Sequence, residues 1–156
     1  MDTSEYPLCT PHLNPHGLEI RMHPTKGRGV YASRPISVGT VVEISPVLLF
    51  GREEYENHGK HTLLDHYTFV WGNGEMALPL GLGSLFNHSS SPNVNYIKKK
   101  DMGYIEYTAA RDLHVGEELC IFYGPNLWFE DSSSQQICVE KDHGKQGWEA
   151  IAQLDL

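Results

Sequence analysis

The sequence predicts a mainly β fold with short helices. Short runs rich in β-branched and aromatic residues recur along the chain, at residues 18–22, 30–32, 41–44, 47–50, 66–71, 94–98, 104–109 and 119–122. Glycine, proline and asparagine punctuate the intervals between them. Only residues 52–60 read as helix, and that segment is short and charged.

Taken in order, residues 1–16 hold three prolines and little periodicity, and read as an irregular N-terminal arm. Residues 18–22 alternate apolar and polar, the period of a half-buried strand. Lys26-Gly27-Arg28-Gly29 follows as a turn, where glycine allows positive φ or close approach of a ligand. These glycines are not a dinucleotide fingerprint, because no GxGxxG opens a helix here. After a turn-rich link at 34–39, Pro46 splits the next β run into 41–44 and 47–50. Glu53, Glu54 and Glu56 on the short helix read as a solvated face, or as charges that attract substrate lysines. Residues 66–71 and 75–80 pair about the Gly72-Asn73-Gly74 turn. A second hairpin joins 94–98 to 104–109 around 99–103. Residues 111–117 turn again, and Gly124-Pro125 stops the short buried strand at 119–122.

A chain of 156 residues is the usual size of one domain with one core. The net charge of -8 disfavours direct contact with DNA or an anionic lipid surface. It suits a basic peptide, or serves solubility alone. Three cysteines, Cys9, Cys120 and Cys138, form no CxxC pair and argue against a disulfide framework. The sequence starts without a signal region, and no apolar run is long enough to cross a bilayer, so an intracellular protein is expected. Cys9, His12 and His16 are too few for a closed zinc site, which takes four ligands.

The chain is organised around residues 81–93, GLGSLFNHSSSPN. This is turn chemistry, yet Leu82, Leu85 and Phe86 call for burial. A turn-rich segment pinned to a core suits a binding site. Together with KGRGVYA at 26–32 and EELCIFYGP at 117–125, it resembles the SET domain of protein lysine methyltransferases. The order, spacing and flanks of the three motifs carry the resemblance, which covers roughly residues 17–130 and leaves 131–156 as a tail.

The resemblance implies a β-clip fold with a C-terminal pseudoknot, in which the last strand and the Asn-His turn thread together against the usual rule. It implies S-adenosylmethionine as cofactor, leaving as S-adenosylhomocysteine. Lys26, Gly27, Arg28, Gly29, Val30 and Tyr31 would cradle its methionine end. Phe86, Asn87 and His88 would hold the adenosine part, and Trp128 would pack on the adenine or simply close the core. Tyr123 matches the catalytic tyrosine and also borders the cofactor, while Tyr67 would lend a second hydroxyl. Tyr67, Ile121 and Tyr123 would line the substrate channel. At Ile121 the family carries phenylalanine or tyrosine that influences the methyl count, so the product state stays open.

Many SET domains place a zinc-binding cysteine where this chain has Ser90, joined by a cluster of three from the tail; only Cys138 lies there, so no zinc is expected. The chemistry needs a neutral lysine amine, whose ordinary pKa is about 10.4, attacking a sulfonium methyl in line. Desolvation favours the neutral amine, and positioning supplies much of the rate. The overall resemblance is to small stand-alone fungal and viral SET proteins acting on histone H3. Expected with it are a basic protein substrate, histone H3 or the nucleosome, a nuclear location with a cytoplasmic share open, and a homodimer. A non-histone substrate and a non-catalytic SET-like peptide-binding module are the alternatives; the presence of Asn87, His88 and Tyr123 together argues against the second.

Overall fold

The computed structural model describes residues 16–125. The expectations on the N-terminal arm, on Trp128 and on the tail lie outside the described residues. Within them run β1 (Leu18–His23), β2 (Gly27–Ala32), β3 (Val41–Phe50), α1 (Arg52–Asn57), β4 (Phe69–Gly72), β5 (Glu75–Pro79), β6 (Asn87–His88), β7 (Val94–Lys99), β8 (Tyr104–Ala109) and β9 (Glu118–Ile121). They form a four-stranded sheet ordered β1-β2-β9-β6 and a five-stranded sheet ordered β4-β5-β3-β8-β7. The mainly β class with short helices is as expected.

Four local expectations change. The first hairpin turns earlier, at residues 24–26, because His23 Nδ1 accepts from the N–H groups of Thr25 and Lys26, both at 3.1 Å. Gly27 and Gly29 therefore stand in β2, paired with His23 and Arg21. Pro46 does not split β3. It sits where the strand changes partner, from β8 over Val41–Pro46 to β5 over Val47–Phe50, and its carbonyl still accepts from Leu80 N–H at 2.8 Å. Tyr67 ends a 3₁₀ turn (Leu63–Tyr67) rather than standing in a strand. Thr62 caps that turn from Leu64 N–H, and Thr68 Oγ1 donates to the Asp65 carbonyl. The last strand starts at Glu118 and ends at Ile121, leaving Phe122 44% exposed.

The five-stranded sheet packs one face on the core, with Val42, Ala77, Ile105, Tyr107 and Ala109 almost wholly buried. It curls until its outer strands approach each other: the rings of Phe69 on β4 and Tyr96 on β7 meet edge-on at 5.3 Å. Leu18, Val30, Ala32, Leu119 and Ile121 continue the same core from the other sheet.

The turn before β6 is fixed by a buried polar knot. Gly83 N–H donates to Ser45 Oγ at 3.1 Å, and Tyr107 donates its hydroxyl to the Gly83 carbonyl at 3.1 Å. Gly83 has to be glycine, since a Cβ there would stand 2.4 Å from Ser45 Oγ and 2.7 Å from the Tyr107 hydroxyl.

β6 pairs in parallel with β9, Asn87 beside Cys120 and His88 beside Ile121. Ser89 N–H donates to the Ile121 carbonyl at 3.0 Å and Asn93 N–H to the Cys120 carbonyl at 3.2 Å. Neighbouring carbonyls of a strand point to opposite edges. The segment therefore crosses over β9 between those two bonds, the threading expected of the final strand. The buried Asn93 side chain fastens the crossing, donating to the Glu118 carbonyl and accepting from Cys120 N–H, each at 2.8 Å.

Candidate active site

β9 delivers Tyr123 to the turn that carries Phe86 and His88. The Tyr123 hydroxyl donates to the Phe86 carbonyl at 2.6 Å, and its N–H to His88 Nδ1 at 3.1 Å. The His88 and Tyr123 rings lie 5.4 Å apart. Accepting at Nδ1 requires the neutral imidazole protonated on its other nitrogen. Burial, the largest cause, pushes the Tyr123 hydroxyl up to about 12, so it stays protonated and acts as a donor.

Tyr123 opens onto a cavity of about 220 Å³. Its walls include Tyr67, Phe69, Phe86, Tyr96 and Lys98, with Asp65, His66 and Ser84 adding polar groups. An aromatic-walled pocket of this kind takes an aliphatic stem and holds a cationic tip against ring faces. Tyr107 backs the wall from the core, its ring 4.8 Å from Phe86 and 6.2 Å from Tyr96.

Asn87, next in the chain, joins this cavity to the β1–β2 hairpin. Its amide donates to the Arg28 carbonyl at 3.2 Å and to Glu118 Oε1 at 2.7 Å. The Lys26 ammonium lies 3.5 Å from the His88 carbonyl and 3.8 Å from Glu118 Oε2. Gly29 makes the approach feasible: a Cβ there would stand 2.6 Å from Glu118 Oε1 and 2.9 Å from the Asn87 amide. Tyr31 completes the group, with burial and then Glu118 raising its hydroxyl above the ordinary value. Lys26, Gly29, Tyr31, Asn87, His88 and Glu118 thus form one contiguous patch behind Tyr123.

The family model for the SET domain matches residues 27–124. The chain belongs to the SET domain family. A fungal relative is 54% identical over 117 residues, spanning 75% of this chain and 80% of its own; it is the histone-lysine N-methyltransferase of Schizosaccharomyces pombe that is specific for lysine 37 of H3. Among solved structures, a Plasmodium falciparum protein described as a candidate histone methyltransferase superposes with a TM-score of 0.58 at 26% identity, over 74% of this chain and 100% of that one. The expected fold and the likeness to a small fungal histone methyltransferase both stand.

Within this SET domain the expected residues separate into groups. Tyr67, Phe86 and Tyr123 meet at the cavity. Lys26, Gly29, Tyr31, Asn87 and His88 meet at the patch, and Arg28, itself exposed, joins through its carbonyl. Val30 is fully buried, so only its backbone is available to a ligand. Ile121 is also fully buried and is not among the residues lining the cavity; Tyr96 and Phe69 stand on that wall instead. The side chains of Asn87 and His88 are engaged with Arg28, Glu118 and Tyr123, so they shape the site by holding its parts.

Glu118, Tyr96 and Lys98 were not among the sequence candidates. Glu118 had a signal, since it opens the strand that leads to Tyr123, and its carboxylate meets the glycine-bearing strand β2. Cys120 is a buried thiol pushed up to about 12 by burial, which makes it inert rather than nucleophilic. Among the described residues no cluster of three or more His, Cys, Asp or Glu is spaced to hold a metal.

Proposed function

We propose that this chain is a protein lysine N-methyltransferase that transfers a methyl group from S-adenosylmethionine to a lysine of histone H3. The observation that carries the reading is the junction at Phe86–Asn87: Phe86 faces the cavity shared by Tyr67 and Tyr123, and the next residue binds the glycine-bearing hairpin. Family membership and the fungal relative support the reaction and the histone substrate.

The residues fit the cofactor by the chemistry they offer. Lys26 would supply a cation for its carboxylate, and the carbonyls of the hairpin and of His88 would accept from its amine. The Tyr123 hydroxyl and the Phe86 carbonyl put two oxygens where a positively charged methyl donor is favoured. When bound, the cofactor supplies an electrophilic methyl on a sulfonium.

Tyr67, Phe69, Phe86 and Tyr96 hold the target lysine's stem and strip its amine of water, which favours the neutral form. The amine's proton leaves to solvent before attack. Tyr123, protonated and fixed at hydroxyl and backbone, orients the amine and meets charge developing at the transition state. Holding two reactants in line is the main contribution, since no covalent enzyme intermediate is needed. We place the enzyme with its substrate in the nucleus, working without zinc, and hold a homodimer as part of the same reading.

Incubating the protein with labelled S-adenosylmethionine and recombinant H3 tests this. Label is expected on H3, first on lysine 37, the relative's target. An H3 with arginine at that position separates that lysine from others. No label on H3, with label on other proteins of a nuclear extract, would replace the substrate and keep the reaction.

A further inference from the structure

A lysine of the enzyme itself stands in the wall of the substrate cavity. Lys98 lies on β7 two residues after Tyr96, and so on the same face of the strand. Both line the cavity with Tyr67, Phe86 and Tyr123. The Lys98 ammonium donates to the Val70 carbonyl at 2.6 Å, bridging β7 to β4 across the split between the sheet's outer strands. Burial lowers the ammonium below its ordinary value, and Lys100 nearby adds repulsion. Other described lysines lack this position: Lys60 pairs with Glu56 on the surface, and Lys26 lies against Glu118 at the patch.

We infer that Lys98 is a self-methylation site, acting as an acceptor in its own enzyme's cavity when no histone tail fills it. The inference rests on the methyltransferase reading above. For the step, Lys98 leaves the Val70 carbonyl and its ammonium gives one proton to water. Its nitrogen lone pair then forms the bond to the methyl carbon. The carbon–sulfur bond breaks, and its electron pair leaves on sulfur as S-adenosylhomocysteine. The nitrogen carries the positive charge that the sulfur held. Each methyl replaces one N–H donor, so a fully methylated Lys98 can no longer bond Val70, and the bridge between β7 and β4 is lost.

The full chain is incubated with S-adenosylmethionine and no histone, then digested and fragmented in a mass spectrometer. The expected result is a methyl gain localised to Lys98, appearing at a rate constant unchanged by dilution, and lost together with H3 methylation in Tyr123→Phe. A second measurement needs no cofactor: an amine-acylating reagent is applied with and without an H3 peptide bearing the target lysine. The peptide is expected to protect Lys98 several-fold while leaving Lys60 unchanged. H3 methylation without any on Lys98 overturns the inference and leaves the enzyme's function standing. A methyl gain on a different lysine, or a rate that rises with protein concentration, overturns it too. Equal acylation of Lys98 with and without peptide removes it from the substrate cavity. If neither H3 nor Lys98 is methylated, the methyltransferase reading falls and takes the inference with it.

Discussion

The Tyr123 hydroxyl donates to the Phe86 carbonyl at 2.6 Å, tying the segment that leaves β9 to the residue before β6. That bond needs the phenol to carry its proton, and burial keeps it there by pushing the group up to about 12. In the proposed mechanism Tyr123 therefore acts as a positioning donor, not a base, at any pH near neutrality. The pH profile of turnover should rise as the substrate amine deprotonates, over about pH 7 to 10, with no falling limb in that range. A falling limb that disappears in Tyr123→Phe would mean that the hydroxyl ionises within it, contrary to the bond described.

Asn87 couples the cavity to the hairpin. Asn87→Ala removes its bonds to the Arg28 carbonyl and to Glu118, and leaves both acceptors short of a partner. Cofactor affinity should fall by about 1–3 kcal/mol. Calorimetry on the folded variant checks this, and unchanged affinity would detach Asn87 from the cofactor site.

Gly29→Ala attacks the same junction sterically. The new methyl would sit 2.6 Å from Glu118 Oε1 and 2.9 Å from the Asn87 amide, forcing apart two groups that bond each other. Overpacking of this kind costs about 1–3 kcal/mol. Denaturant unfolding should show that loss, and cofactor affinity should fall with it. A variant of native stability and native affinity would show that Glu118 and Asn87 yield freely.

Glu117 makes the fold acid-sensitive. The Arg111 guanidinium, chiefly, with Asn93 and the His114 N–H, holds its carboxyl down to about 2 from an ordinary 4.5. A folded-state value below the unfolded one stabilises the protein above the unfolded value. That contribution is lost as pH falls from about 4.5 towards about 2. Wild-type unfolding free energy should drop across this window, and Glu117→Gln should drop less steeply. Arg111 is 55% exposed, so salt should weaken the effect. Parallel curves for the two proteins would assign the acid sensitivity to other carboxylates.

Much of the fold is legible in the sequence because its strands alternate and its turns carry glycine and asparagine. The hairpin at Gly72-Asn73-Gly74 takes positive φ at all three residues, as that composition suggests. Propensity failed where tertiary contacts decide. Tyr67 and Thr68 are good β-formers, yet the Leu64 N–H bond to Thr62 Oγ1 and the Thr68 Oγ1 bond to the Asp65 carbonyl hold Leu63–Tyr67 in a turn. Pro46 looked like a break because the partner exchange within β3 is invisible locally. Asn87 and His88 make a two-residue strand that exists only because β9 lies beside it. Motif resemblance pointed to Tyr67 and Tyr123, and both line the cavity. Tyr96, Lys98 and Glu118 were not, since what matters in each is a neighbour far along the chain.

The central claim is that Tyr123 serves turnover through its hydroxyl. Tyr123→Phe keeps the ring against His88 and deletes only the oxygen that meets Phe86. The measurement is the turnover number on H3, beside cofactor affinity and unfolding free energy for the same protein. The account predicts near-native affinity, a stability loss of about 1 kcal/mol, and turnover down by about a hundredfold or more, about 2.7 kcal/mol of transition-state stabilisation. A folded Tyr123→Phe that keeps most of its turnover would contradict the account and make Tyr123 a structural residue.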